Sequence, residues 1–180
     1  MTRKIQNEHS QFDFSNIEAY NPIMKSPELE LSGVGGEILE GARLKATQLR
    51  HNYIGVEHIL LSMIDHPTIG SAFAEAGVAE PVREKILFIV GEGEKESTWE
   101  NGFTADAQRM IGIAQEIYER ARLGHADAKY PAAMLFTAFL AFGEHGIASE
   151  VFRSVVTDIP DYNPSKLLGR IMNLESSLLQ

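Results

Sequence analysis

The stretch LRHNYIGVEHILL, residues 49–61, joins the end of one predicted helix to the start of the next. Gly55 permits a tight entry into the second helix, and Glu57 falls in its first turn, where the positive end of the helix dipole stabilises a carboxylate. Residues 59–64 are apolar on nearly all sides, which predicts a buried, central helix. His58 stands beside this run and is predicted to be a hydrogen-bonded histidine in the core or at its rim.

Two segments precede this stretch. Apolar residues recur at helical spacing between residues 33 and 50, which predicts an amphipathic helix with Ser32 as its N-cap. Residues 1–30 mix polar residues with scattered aromatics, contain two prolines and show no sustained period. They are predicted to form an N-terminal arm that is extended or partly ordered.

Two further helices are predicted after the central one. A short third helix ends at Gly77, and a fourth begins at Glu80 with Pro81 at its first helical position, where the missing N–H has no cost. Together these helices make a predicted first repeat, residues 31–91. A charged, glycine-bearing linker is predicted at residues 92–102.

The same order of elements then recurs. Thr104 takes the N-cap role for a helix that runs to Gly124, residues 132–142 form a second buried helix, and Asn163 with Pro164 starts the last helix. We therefore predict a second repeat at residues 103–176. The expected fold is all-α, with eight helices in two tandem four-helix repeats related by a pseudo-twofold axis.

Charge and composition exclude several classes of protein. The chain has 25 acidic and 16 basic residues, a net charge of −9, which repels phosphate backbones, so no nucleic-acid partner is expected. No signal peptide is visible, and the longest apolar run, residues 131–142, is shorter than the roughly 20 residues of a membrane span, so no membrane is expected. The lack of cysteine fits a reducing compartment, and we predict a cytoplasmic protein with a monomer favoured.

Motifs that accompany catalysis are missing from the sequence. There is no G-x-x-x-x-G-K-[ST] phosphate loop, so the chain is not itself an ATP-driven motor. There is no G-x-S-x-G nucleophile turn either, and Gly55 separates His51 from His58, which breaks the helical face that a zinc-binding pair needs. We expect no catalytic residue, no metal and no cofactor.

The stretch at residues 49–61, set behind an amphipathic helix and repeated in weaker form, resembles the amino-terminal repeat domain of Clp-type AAA+ unfoldases. Repeats of that family carry a pattern close to L-G-H-N-Y-I-G-T-E-H-L-L. The Phe103-Thr104 opening and the sequence RLGH at residues 122–125 resemble the second repeat of the same domain. The resemblance covers residues 31–173.

In that family the domain sits above an ATP-driven ring and receives substrates or adaptor proteins. Some bacterial members recognise phosphorylated arginine through the motif glutamate and the threonine near each repeat start. The resemblance implies a phosphoarginine-type or peptide-binding site at Ser32, Glu57 and Thr104, with Ser32 standing in place of the first threonine. In the second repeat Ala132 stands where the glutamate belongs, and in the first Val56 replaces the motif threonine, so the second site is expected to be lost or remodelled.

The function implied by this resemblance is a non-catalytic protein-binding module that recruits or regulates substrates or adaptors of the Clp protease system. Its expected partners are Clp unfoldase or protease components, adaptors or client proteins. The thirty-residue arm favours a stand-alone repeat protein over a segment of a longer unfoldase. Two alternatives stay open: an accessory structural subunit of a Clp protease complex, and a decoy that sequesters ligands of the related unfoldase. The decoy would need a pocket between the repeats, built from Phe, Met and Leu side chains that are otherwise simply core.

Overall fold

The computed structural model describes residues 33–93, 102–124, 130–142 and 146–178. Within these ranges the chain forms eight α-helices and no strand, which confirms the predicted all-α fold. The first repeat contains α1 (Val34–Gln48), α2 (Val56–Asp65), α3 (Gly70–Glu75) and α4 (Ala79–Val90), and the second contains α5 (Ala105–Gly124), α6 (Pro131–Phe142), α7 (Ile147–Thr157) and α8 (Pro164–Ser177).

The contacts between helices repeat across the two halves. In the first repeat α1 packs on α2, and in the second α5 packs on α6. Each fourth helix also contacts the third helix of the other repeat, because α4 lies against α7 and α8 lies against α3. The two repeats are therefore interlocked through equivalent faces, as a pseudo-twofold arrangement requires.

The centre of the molecule is formed by α2 and α6. Every residue from Val56 to Ile64 is buried, so the prediction of a buried central helix is confirmed. Phe136 of α6 is fully buried and its ring contacts those of Phe73 in α3 and of Phe152 in α7. One aromatic cluster thus joins the two repeats into a single core.

By length and composition, no single helix in the described ranges qualifies as a membrane span, and α6 and α7 do so only when taken together as a pair bent by 90°.

Local capping signals mark the starts of two helices as predicted. Thr104 Oγ1 accepts a hydrogen bond from the Ala107 N–H at 3.2 Å at the start of α5. Asn163 Oδ1 accepts from the N–H groups of Ser165 and Lys166 at the start of α8, whose first residue is Pro164. Both side chains satisfy N–H groups that have no partner inside the helix.

Two predicted helix starts are wrong by one or two residues. The helix α4 begins at Ala79, so Pro81 is its third residue and not its first; its missing N–H is still one of the unpaired groups of the first turn. The N-cap of α1 is Gly33, with φ 63°, instead of Ser32. Ser32 lies outside the described residues, as do the predicted arm at residues 1–30 and residues 94–101 of the predicted linker.

The end of α1 places a non-glycine residue in the left-handed region. Arg50 has φ 57°, its N–H donates to Thr47 O, and the His51 N–H donates to Ala46 O, which together make a Schellman turn. This conformation is one that glycine adopts without steric cost.

Replacing Arg50 by glycine is therefore expected to raise the free energy of unfolding by about 1 kcal/mol, because the left-handed strain is relieved. Chemical denaturation measures the change. Arg50→Ala is the matched control, since alanine keeps the strain while losing the same side chain. Equal stabilities of the alanine and glycine variants would contradict the prediction.

Candidate functional site

The loop at residues 49–55, here called the motif loop, is held between the end of the first repeat and the start of the second. The Gly93 N–H donates to Leu49 O at 2.7 Å, and a Cβ added to Gly93 would lie 2.1 Å from Arg50 O. On the other side the Ile54 N–H donates to Gly102 O at 2.8 Å. The loop is therefore fixed by backbone bonds from both flanking segments.

A buried histidine pair lies beneath the motif loop. The Gly55 N–H donates to His58 Nδ1 at 2.9 Å, so this nitrogen carries no proton, and the proton on His58 Nε2 is directed to His51 Nδ1 at 2.8 Å. Burial, followed by the nearby His51, lowers the pKa of His58 to about 4, which makes the ring neutral near pH 7. The predicted core role of His58 is confirmed, since its exposed fraction is 0%.

Glu57 lies at the N-terminus of α2 with its carboxylate folded over the motif loop. A Cβ added to Gly55 would lie 2.3 Å from Glu57 Oε1, so the lack of a side chain there makes room for the carboxylate. Burial raises the pKa of Glu57, while its own N–H, His51 and the Tyr53 hydroxyl oppose that rise. The 3.3 Å approach of Oε1 to His58 Nδ1 is not an ion pair, because that nitrogen accepts the Gly55 N–H.

Tyr53 completes the surroundings of this carboxylate. Its ring stacks on that of His51 with centroids 5.3 Å apart and meets His58 edge-on at 5.5 Å. Burial, followed by the influence of the nearby Glu57 carboxylate, raises the pKa of the phenol. Tyr53 thus lies between the buried histidine pair and the Glu57 carboxylate.

Replacing Gly55 by alanine is expected to push the Glu57 carboxylate out of this arrangement, because the new Cβ would overlap both carboxylate oxygens. The pKa of Glu57 should then fall towards its ordinary value as the carboxyl becomes more exposed. Titration of the Glu57 side-chain carbon by NMR measures the shift.

Gly169 provides a matched glycine for this experiment, since nothing lies within 4 Å of a Cβ added there. Gly169→Ala should leave the Glu57 titration as it is in the wild type. An unchanged titration in Gly55→Ala as well would show that the glycine does not set the position of the carboxylate.

Thr104 lies next to the motif loop. Its N–H donates to Ile54 O at 3.0 Å, and Phe103 and Ile54 form an isolated parallel bridge. The Thr104 hydroxyl accepts from the Ala107 N–H, and a hydroxyl can also donate its own proton. The sequence pairs Glu57 with Ser32 of the same repeat, and Ser32 lies outside the described residues. Among the described residues, Thr104 of the second repeat lies against the loop that precedes Glu57.

In the second repeat the carboxylate at the start of α6, the counterpart of Glu57 at the start of α2, belongs to Glu175, a residue that the sequence did not single out. Ala132 and Ala133 are the second and third residues of α6, and their N–H groups donate to Glu175 Oε1 and Oε2, each at 2.9 Å. Glu175 comes from α8 and is 2% exposed. A signal for it does exist in the sequence, because Glu175 continues the buried stripe of Leu167 and Ile171 at a spacing of four residues.

The described residues contain a further cleft and no metal-binding cluster. No group of three or more His, Cys, Asp or Glu side chains among them is placed to hold a metal ion. A cleft of about 750 Å³ lies between α3 and the start of α8, and it includes Glu75, Tyr162 and Arg170. Of the Phe, Met and Leu side chains predicted to form a pocket between the repeats, only Leu167 lines this cleft, whereas Phe73, Phe136 and Met110 are fully buried in the core.

Two interlocked four-helix repeats define a helical tandem-repeat domain. The family described as the Clp repeat (R) N-terminal domain matches residues 36–128, which is more than half of the chain. The chain belongs to this family, whose domains are non-catalytic interaction modules of the Clp system. The match ends before α6, so the divergent motif at Ala132 and Ala133 lies outside it.

Proposed function

We propose that this protein binds other proteins of the Clp system, recruiting or regulating substrates or adaptors, through a site formed by Glu57 and Thr104. The observation that supports this site most strongly is the backbone bond between Thr104 and Ile54, three residues before Glu57. It places the start of α5, with the Thr104 hydroxyl, beside the loop that leads to Glu57. Ser32, the third residue of the proposed site, lies outside the described residues.

The ligand that fits this pair best is a phosphorylated arginine side chain. A carboxylate accepts the N–H groups of a guanidinium in a planar, charge-assisted arrangement, and a hydroxyl donates to a phosphoryl oxygen. Only 12% of the Glu57 side chain is exposed, so the site admits the end of one side chain and not a broad surface. The net charge of −9 adds a general attraction for basic segments of a partner.

Calorimetric titration with free phosphoarginine tests the proposal. Glu57→Gln removes the charge and keeps the size of the side chain, and we expect it to weaken binding about tenfold or more, because a hydrogen bond to a charged group is lost. Thr104→Ser keeps the hydroxyl and the cap of α5, so it serves as the conservative control and should retain binding.

Two results would count against this function. Binding of equal strength in wild type and Glu57→Gln would reduce the interaction to nonspecific charge attraction. Unmodified arginine that binds as well as phosphoarginine would remove the role proposed for the Thr104 hydroxyl.

The cleft between α3 and α8 supports a second candidate, the decoy that sequesters small ligands of the related unfoldase. Its volume of about 750 Å³ falls in the range of small-molecule pockets. Arg170 crosses it in a two-bond ion pair with Glu75, at 2.9 Å for each bond. An unfoldase-directed antibiotic that binds the wild type tightly but not Tyr162→Ala would favour this candidate, and no binding would remove it.

A further inference from the structure

In both repeats a carboxylate lies at the start of the second helix, but the two carboxylates come from different helices. Glu57 is the second residue of α2, and Ala132 is the second residue of α6. Alanine has no carboxylate to offer there. Glu175 supplies one from α8 and bonds the N–H groups of Ala132 and Ala133 with its two oxygens.

This substitute carboxylate is fully engaged. Each oxygen of Glu175 accepts from a different N–H group, and the residue is 2% exposed, compared with 9% for Glu57. The adjacent Ser176 also ties α8 to the entry of α6, since its Oγ lies 3.2 Å from Tyr130 Oη. A ligand approaching the start of α6 therefore meets N–H groups that are already satisfied and a carboxylate that is already covered.

We propose that Glu175 seals the second-repeat copy of the site, because its carboxylate occupies the Ala132 and Ala133 N–H groups from the interior of the protein. The chain then presents one docking site instead of two. The statement that a ligand docks at the open copy rests on the proposed function. The sealing by Glu175 is a property of the chain alone. In the first repeat the carboxylate of Glu57 is available to a ligand, whereas in the second repeat the carboxylate of Glu175 joins α8 to α6. A single site suits a protein that binds one side chain of a partner at a time, without the avidity that paired sites give.

Hydrogen exchange of the Ala132 and Ala133 amides tests the sealing without any ligand. In the wild type both amides should exchange slowly, although they belong to the first turn of a helix, where amides ordinarily have no partner. In Glu175→Ala their exchange should accelerate by about tenfold or more. Glu175→Gln keeps one acceptor oxygen, so it should release one of the two amides and serve if the alanine variant fails to fold.

Glu119→Ala is the matched control, because it removes an exposed glutamate from α5. Exchange at Ala132 and Ala133 should be unchanged in that variant. Fast exchange of these amides in the wild type, or slow exchange in both Glu175 variants, would overturn the sealing.

The number of sites is then read from the titration with free phosphoarginine. The wild type should bind one equivalent, and Glu57→Gln should keep no second class of sites. A second equivalent bound by the wild type, or ligand-induced amide shifts in Glu57→Gln that centre on the start of α6, would mean that the second copy is open, which overturns the inference. If the wild type binds no phosphoarginine, the proposed function fails, and the exchange data still decide whether Glu175 seals the start of α6.

Discussion

Replacing Phe136 by alanine is expected to lower the free energy of unfolding by about 3–5 kcal/mol, because the ring is fully buried and its removal leaves a cavity. The loss is a large fraction of the roughly 5–15 kcal/mol that stabilises a typical domain. Phe136 also contacts three other aromatic rings, those of Phe73, Phe139 and Phe152, with centroids 5.4, 6.2 and 6.0 Å away. Such pairs add to stability beyond the buried area.

The Phe136 variant also tests whether the two repeats unfold together. Phe73 belongs to the first repeat and Phe136 to the second, so a double-mutant cycle between them measures coupling across the repeat boundary. We expect one cooperative denaturation transition and a non-zero coupling energy. Phe136→Leu keeps most of the apolar volume and should cost less than half as much. Two separate transitions in the wild type would contradict a shared core.

The second large effect concerns Glu175 and pH. Burial raises the pKa of this carboxyl from 4.5 to about 7, against the opposing influence of the Ala132 and Ala133 N–H groups. The folded protein thus binds the proton more tightly than the unfolded chain does. Stability contributed by this group is greatest below pH 4.5 and is lost as the pH rises to about 7. The difference corresponds to about 3 kcal/mol.

Glu175→Gln isolates this contribution, because glutamine does not titrate. The stability of the wild type minus that of Glu175→Gln should fall by about 3 kcal/mol between about pH 4.5 and about pH 7. His58, whose pKa is lowered to about 4, changes stability in the opposite direction, but it is present in both proteins and cancels. Denaturation at a series of pH values measures the difference. A pH-independent difference would show that Glu175 does not titrate in this range.

Much of the fold follows from local signals in the sequence. The apolar residues of α2 predict burial because no helical face is left polar, and Thr104 and Asn163 predict helix starts because their oxygens reach N–H groups two or three residues ahead. The start of α4 was misplaced because Pro81 is acceptable at any position of the first turn. Local rules fix such a boundary only to within a few residues.

The site was harder to predict because its parts come from distant segments. Thr104 meets Ile54 only through the packing of one repeat on the other, and no local pattern states that contact. Glu175 reaches Ala132 across 43 residues of chain. The spacing of Glu175 from Leu167 and Ile171 predicts its burial on α8. The N–H groups that compensate for burying a carboxylate there are defined only by the tertiary structure.

The most direct test of a single docking site at Glu57 and Thr104 is an NMR titration of the labelled protein with an arginine-phosphorylated peptide, alongside the same peptide unmodified. We expect amide shifts concentrated at residues 53–58 and 102–105, saturating at one equivalent, and absent with the unmodified peptide. Shifts of equal size with both peptides, or shifts centred on the start of α6, would contradict the account.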